Sequence, residues 1–237
     1  MLMRILLLFI TIVSLVSCDP ATLEKIMESA GQTSVSDLEI NKGLKEALNK
    51  GIDSGVTYLS AENGFYTSPY KILLPEEARK VADKLKVVPG FDKVENEITL
   101  KLNRAAEDAV KTAKPIFINA ISQMTFADVK NILFGDKNAA TQFLHRTTYN
   151  SLYNEFNPVI VNSLNKFNAL DYWSDAVTTY NKIPFVTKMN PKLDDYVTKK
   201  ALDGVFDMVE KKELDIRNNL AARTTDLLKR VFGLQDK

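Results

Sequence analysis

Apolar residues recur at the helical period through most of this chain, and this pattern constrains the fold more than any other feature. Over residues 94–113 the apolar side chains follow one another in steps of three and four, which marks one face of a helix. A second stripe, over residues 193–209, is wider, as expected of a helix that is covered on more than one side. Strand-like alternation is nearly absent, because its best case, residues 70–74, fits an extended connection equally well. The sequence therefore predicts an all-α protein.

Helix-start signals divide this pattern into segments. Ser36 and Thr125 each stand three residues before an acidic residue, which makes a capping box, and Asn157-Pro158 is typical of a cap followed by the first helical residue. Together with the apolar periodicity and the helix-stop signals that glycine and proline provide, these starts predict helices at residues 21–30, 36–62, 75–87, 92–113, 115–123, 125–134, 138–156, 158–168, 171–181, 191–217 and 223–232. We expect a single bundle-like domain of about eight to eleven helices over residues 36–237, preceded by a signal peptide.

Small residues predict where the helices approach one another closely. Gly43, Gly51 and Gly55 share roughly one face of a long predicted helix, which indicates either close packing of a neighbour or a break near Gly51. Four alanines within residues 105–113 indicate another close approach. The short helix over residues 223–232 carries its apolar side chains on one side, and we expect it to dock on the domain because an isolated helix of this length is marginal in water.

The start of the chain has the layout of a secretory signal. Arg4 precedes an apolar stretch at residues 5–16, which is shorter than the roughly 20 residues that span a bilayer. Leu15-Val16-Ser17-Cys18 then resembles the bacterial lipobox, in which the cysteine receives a diacylglyceryl group and the chain is cut before it. We predict a lipoprotein signal peptide at 1–17, and the acylated Cys18 with a short tether at 18–35. The alternative is a secretory signal that ends at a cysteine by chance.

Cys18 and the charge balance limit the partners of the chain. Cys18 is the only cysteine, so no internal disulfide can form. Removal of residues 1–17, in which Arg4 is the only charge, leaves 30 side chains of each sign, and no excess of basic residues favours nucleic acid. We expect attachment to a membrane of the bacterial cell envelope, inner or outer, with the domain outside the cytoplasm. An envelope protein or an apolar small molecule is the expected partner.

Several short segments of the chain resemble segments of a known family. They are Gly43–Leu48, Leu73–Pro75, Ala105–Glu107, Ile132–Gly135, Ala139–Thr141 and, most specifically, Arg223-Thr224-Thr225-Asp226-Leu227-Leu228-Lys229. In order and spacing the chain resembles the bacterial family of domain of unknown function 4197, from about residue 36 to residue 233. The resemblance implies a mostly helical protein that is secreted or lipid-anchored. It implies no activity and no catalytic residue.

The residue types that most often serve in catalysis or metal binding give few candidates in this sequence. His145 is the only histidine, so it cannot share a two-histidine zinc site, and no Gly-x-Ser-x-Gly elbow exists for a serine nucleophile. We predict a solvated or capping role for His145. Glu107 is predicted to be an ion-pair or cap partner, while Asp194 and Asp195 are predicted to begin a helix. We assign no catalytic residue, no metal and no cofactor.

Two groups of residues are candidate ligand contacts. Arg217 and Arg223 flank a predicted break between helices, where two guanidinium groups can grip an anion or, alternatively, hold helix ends together. Tyr149, Tyr153 and Trp173 belong to an aromatic group that either lines a pocket for an apolar ligand or fills the core.

These observations predict a lipid-anchored envelope protein that works by binding, without catalysis. The alternative is a helical carrier or sensor with an internal cavity for a lipid or other apolar ligand, which a large apolar cavity would favour. A third interpretation is an envelope hydrolase that uses paired carboxylates, which a cleft with two facing carboxylates would favour.

Overall fold

The computed structural model describes residues 34–76, 78–79, 94–166 and 192–236, with isolated positions or pairs of positions between 167 and 191. The described residues form α-helices and one short 3-10 helix, and no strand, which confirms the all-α prediction. The helices are α1 (Asp37–Ser60), α2 (Val94–Val110), α3 (Ala113–Ser122), α4 (Phe126–Leu133), α5 (Ala139–Asn165), α6 (Leu193–Asn218) and α7 (Asp226–Gly233), with the 3-10 helix at Leu220–Ala222.

The expected eight to eleven helices are too many for this part of the chain, which holds seven α-helices. The predicted helices at 138–156 and 158–168 are one helix, α5, with Pro158 inside it. Proline removes one backbone hydrogen bond from a helix, but Pro158 and Asn154 are both exposed, so water can satisfy the carbonyl that this leaves. The predicted helices at 21–30, 75–87 and 171–181 lie wholly or mostly outside the described residues.

Local signals start the helices where the sequence predicts. The Ser36 hydroxyl accepts the Glu39 N–H at 3.3 Å, and the Glu39 carboxylate accepts the Ser36 N–H at 3.0 Å, which completes a capping box. Thr125 forms the same arrangement at the start of α4. The Thr225 hydroxyl caps α7 by accepting the Leu228 N–H. Residues 71–75 belong to no helix or strand, and Tyr70 lies in a turn, so the structure forms no strand there.

The glycines of α1 are points of close helix packing. A Cβ on Gly43 would lie 2.6 Å from Cγ2 of Val231 on α7, and one on Gly55 would lie 3.0 Å from Cγ of Met208 on α6. Helix α1 runs without interruption through Gly51. The prediction of close packing is therefore confirmed over that of a break.

The core lies between α1, α2, α5 and α6. Helix α6 packs against α5, α1 and α2, and α2 packs against α5 and α1. The alanine face of α2 and the start of α3 is completely buried, as predicted: Leu102, Ala105, Ala106, Ala109, Val110 and Ala113. Ile98, one turn earlier, is half-buried. Helix α7 covers one side of α1 with Leu228, Val231 and Phe232, which confirms that it docks. Among the described helices, none combines the length and the apolar character that a membrane span needs.

Candidate functional site

Arg217 forms a buried ion pair with Glu213, one turn earlier on α6. Its Nη2 and Nε lie 2.8 and 3.0 Å from Oε1 of Glu213, and each side chain exposes less than a tenth of its surface, 6% and 4%. The guanidinium also donates to the carbonyl oxygens of Ile132 at 2.8 Å and Leu133 at 3.1 Å, at the C-terminal end of α4. Arg217 thus donates hydrogen bonds to carbonyl oxygens that are free at the C-terminal end of α4, and its positive charge is favourable near the negative end of that helix dipole.

Glu213 accepts hydrogen bonds from the start of α5, as Arg217 donates them to the end of α4. Its carboxylate accepts the backbone N–H of Ala140 at 3.0 Å and that of Thr141 at 2.8 Å, together with the Thr141 hydroxyl at 2.8 Å. The residue before α5, Asn138, makes no side-chain cap of its own. Glu213 therefore caps α5 from another helix. No local sequence signal identifies this role, because the capped residues lie more than 70 positions away along the chain.

Arg223 is also buried, with 1% of its surface exposed. It donates to the carbonyl oxygens of Ile216 at 3.0 Å and Arg217 at 2.8 Å, at the end of α6. Its other partner is the Asp236 carboxylate, 2.8 Å away at Oδ1, and hydrogen bonding to Arg223 holds the pKa of Asp236 below its usual range. Both candidate anion-binding arginines thus contact protein groups inside the domain.

Tyr149, one of the candidate aromatic contacts, belongs to a ring cluster on the surface between α5 and α6. The half-buried Tyr149 ring lies 4.9 Å from the ring of His145 and 6.2 Å from that of Phe206, centroid to centroid. His145 is exposed, as predicted for a solvated histidine, and its ring centroid lies 4.6 Å from that of Phe206. Phe206 in turn meets Phe117 edge to face in the core. The cluster connects the core to an exposed aromatic surface.

Tyr153 lies one turn further along α5 and makes a polar contact with α6. Its hydroxyl donates to Oδ1 of Asp195 at 2.7 Å. Burial, and then the hydrogen bond to Asp195 and the negative charge of that residue, raise the pKa of Tyr153 to about 12. Burial alone would raise the pKa of Asp195, but hydrogen bonds from Lys199, Tyr153 and Asn190 hold it below its usual range. The network fixes α5 against α6. Trp173, the third aromatic candidate, lies outside the described residues.

An open groove of about 460 Å³ lies between α5 and α6, beside the ring cluster. This volume is within the range of ligand sites, about 300–1,000 Å³. Its principal lining residues are Asn138, Gln142, His145, Arg146, Phe206 and Glu210. The sequence did not indicate this groove, because its walls come from segments about 60 residues apart whose relative rotation depends on core packing.

The charges that line the groove balance. Arg146 and Glu210 have opposite signs, and neither forms an ion pair within 4 Å in the part of the chain that the structure describes. Glu210 accepts a hydrogen bond from the Asn138 side chain at 3.5 Å. Hydrogen bonds from Thr125, and then the positive charge of Arg146, lower the pKa of Asp128 on α4. Asp207 also lines the groove, but Lys211 neutralises it at 2.8 Å. Lys211 further donates to the Tyr70 hydroxyl at 3.0 Å, and its hydrogen bonds to Asp207 and Tyr70 raise the pKa of Lys211. The groove therefore offers both signs of charge without a net excess.

Among the described residues, a small cavity of about 20 Å³ lies where α1, α5, α6 and α7 meet, against Leu44, Ile52, Val209 and Phe232. This is close to the space that one water molecule needs, about 10–15 Å³. Within the described residues, the aromatic side chains Phe117 and Phe156 fill the core, while the larger empty volume lies at the surface.

The carboxylates singled out in the sequence have structural partners. Glu107 is buried, accepts the N–H of Phe65 at 3.1 Å and of Tyr66 at 3.4 Å, and pairs with Arg104 at 2.6 Å, which confirms the predicted ion-pair and cap role. Asp194 accepts from the Asn157 side chain at 3.0 Å. The described residues contain no group of three or more histidine, cysteine or acidic side chains arranged to hold a metal ion.

The described residues form an all-helical domain in which buried charged side chains connect helix ends. The groove between α5 and α6 is open at its surface. The chain belongs to the family described as protein of unknown function (DUF4197), whose model matches residues 34–233. The resemblance drawn from separate sequence blocks is thereby confirmed over nearly the same range. No curated protein and no solved structure matches the chain.

Proposed function

We propose that this protein is a lipid-anchored binding protein of the bacterial cell envelope, and that its ligand occupies the groove between α5 and α6. The observation that carries the proposal is the groove itself: about 460 Å³ of open volume, with the rings of His145 and Phe206 and the opposite charges of Arg146 and Glu210 in its lining. The buried charges elsewhere, Glu107, Glu213, Arg217 and Arg223, already have protein partners. The groove instead presents charged side chains at an open surface, where a ligand can reach them.

The geometry favours surface binding over the two alternatives. A carrier for an apolar molecule needs an enclosed apolar cavity, whereas the cavity inside the described core is only about 20 Å³. A hydrolase with paired carboxylates needs them on both sides of the substrate. Asp207 and Glu210 lie instead on one wall of the groove, one turn apart on α6, and Asp207 is paired with Lys211.

The anchor is tested by Cys18→Ser. We expect the variant to lose acylation and to remain unprocessed or leave the membrane fraction, because Cys18 is the only side chain that can carry the thioether-linked lipid. Two or more acyl chains are needed for stable anchoring, since one chain alone binds only marginally. Metabolic labelling with a radioactive fatty acid measures the effect. Label that persists in the serine variant would refute the anchor.

Use of the groove is tested with single thiols, because acylation of Cys18 would leave an introduced cysteine as the sole free thiol. Gln142→Cys places a thiol in the groove, and Asn49→Cys places one on the exposed surface of α1 as the matched control. We expect maleimide to label position 142 at least several times more slowly in isolated envelopes than in purified protein, and position 49 at similar rates in both. Equal rates for both variants in both preparations would refute occupancy of the groove.

A further inference from the structure

We propose that the groove between α5 and α6 binds a neutral saccharide, a unit of an envelope glycan. This inference rests on the proposed function, because it names the ligand class of the same site. It depends on three properties of the groove: an exposed ring, planar polar side chains around that ring, and balanced charge.

The ring is His145, which contacts the rings of Phe206 and Tyr149. The centroid distances of 4.6 and 4.9 Å limit the motion of the imidazole, while the residue itself remains exposed at the groove. A fixed aromatic surface loses little conformational entropy when a ligand covers it. A pyranose ring presents an apolar face of C–H groups, and such a face packs well on an exposed aromatic ring.

Planar polar side chains surround this ring. Gln142 and Arg146 lie beside His145 on α5, and Glu210 lies on the facing wall of α6. Arg146 and Glu210 can each form two parallel hydrogen bonds, which suits adjacent hydroxyl groups of a sugar. Gln142 donates to the Asn138 side chain at 2.8 Å, so the two amides are already oriented relative to each other before a ligand arrives.

Charge and shape favour a neutral ligand over other classes. Arg146 and Glu210 carry opposite charges, Asp207 is paired with Lys211, and Asp128 lies close enough to interact with Arg146, so the groove has no excess of positive charge to attract a phosphate or a polyanion. The main modes of capture of an unmodified internal peptide use an open strand edge, a long apolar groove or an aromatic-lined groove for a polyproline helix. The described residues contain no strand, and the groove is short, with lining residues only within 138–146 and 206–210.

The single histidine makes the test direct, because the full-length protein has only one imidazole Cε1–H signal in a proton–carbon NMR spectrum. Cellotriose and chitotriose are titrated as neutral saccharide probes, and the blocked peptide acetyl-Ala-Ala-Ala-amide serves as the peptide probe. We expect one of the saccharides to shift the His145 signal to saturation and the peptide to leave it unchanged. A peptide that shifts the signal while both saccharides fail would overturn the saccharide assignment.

Variants connect that signal to the groove. Arg146→Ala and Glu210→Ala each remove one polar side chain from the groove while His145 still reports, and we expect each to weaken saccharide binding about tenfold or more. Asn49→Ala, on exposed α1, should bind as the unchanged protein does. Unchanged affinity in both groove variants would overturn the proposal.

If the saccharides fail to bind while the thiol at position 142 is protected in envelopes, this ligand class is excluded and binding at the groove is retained. Loss of that protection would instead refute the proposed function.

Discussion

Arg217→Ala is expected to lower the free energy of unfolding by about 3–5 kcal/mol, because it leaves the carboxylate of Glu213 buried without its counter-charge. The same change removes two hydrogen bonds from the carbonyl oxygens at the end of α4. Buried polar groups that lose their partners each add a cost of roughly 1–3 kcal/mol. Urea unfolding followed by circular dichroism measures the effect.

An exposed arginine provides the matched control. Arg230 pairs with Glu39 at 2.6 Å, but half of the Arg230 side chain is exposed. Exposed pairs of this kind contribute about 0–1 kcal/mol, so Arg230→Ala should change stability by no more than that. Similar losses in Arg217→Ala and Arg230→Ala would contradict the assignment of Arg217 as the residue that holds the helix ends.

A substitution of Glu213, the partner of Arg217, separates the effect of charge on stability from the effect of packing. In Glu213→Gln the amide keeps one acceptor oxygen toward the α5 backbone but loses the negative charge. Because the two residues interact directly, we expect the double variant to be less destabilised than the sum of the single variants predicts, by about 0.5–3 kcal/mol. Additive losses would mean that Arg217 and Glu213 act independently.

Local signals predicted the helices well because capping and periodicity involve only neighbouring residues. Ser36 with Glu39 and Thr125 with Asp128 place helix starts to within a residue. Asn157-Pro158 predicted a boundary wrongly for the same reason: it is a local helix-start signal, whereas buried residues of α5 on both sides of it keep the helix continuous. Tertiary packing overrides a local preference when it is worth more than the lost hydrogen bond.

The site was harder to predict than the fold. Arg217 and Arg223 were predicted as candidate anion contacts because two arginines near a loop are typical of anion binding, and sequence spacing does not reveal that carbonyl groups at helix ends already bind them. The groove involves Gln142 and Glu210, which look like ordinary surface residues in the sequence. Only the rotation of α5 against α6 brings them together around the rings of His145 and Phe206.

The second large effect is expected on deletion of residues 223–237, which should abolish the cooperative unfolding transition. The deletion uncovers the face of α1 that Leu228, Val231 and Phe232 bury, and each such side chain contributes about 1.5–3 kcal/mol when fully buried. It also removes Arg223 from the carbonyl end of α6. Together these losses approach the whole stability of a typical domain, about 5–15 kcal/mol. Differential scanning calorimetry measures the transition.

Point variants show whether contact with α1, rather than chain length, causes the loss. Gly43→Ala keeps every residue but places a Cβ 2.6 Å from Cγ2 of Val231, so overpacking should cost about 1–3 kcal/mol. Gly233→Ala on α7 is the matched control, because its Cβ would meet no atom within 4 Å, and alanine favours a helix by up to about 1 kcal/mol. Shortening the opposing side chain with Val231→Ala should make the alanine at position 43 less costly. If Gly43→Ala melts as the unchanged protein does and the truncated chain keeps its transition, then α7 is not docked, and its apolar face is available to a partner.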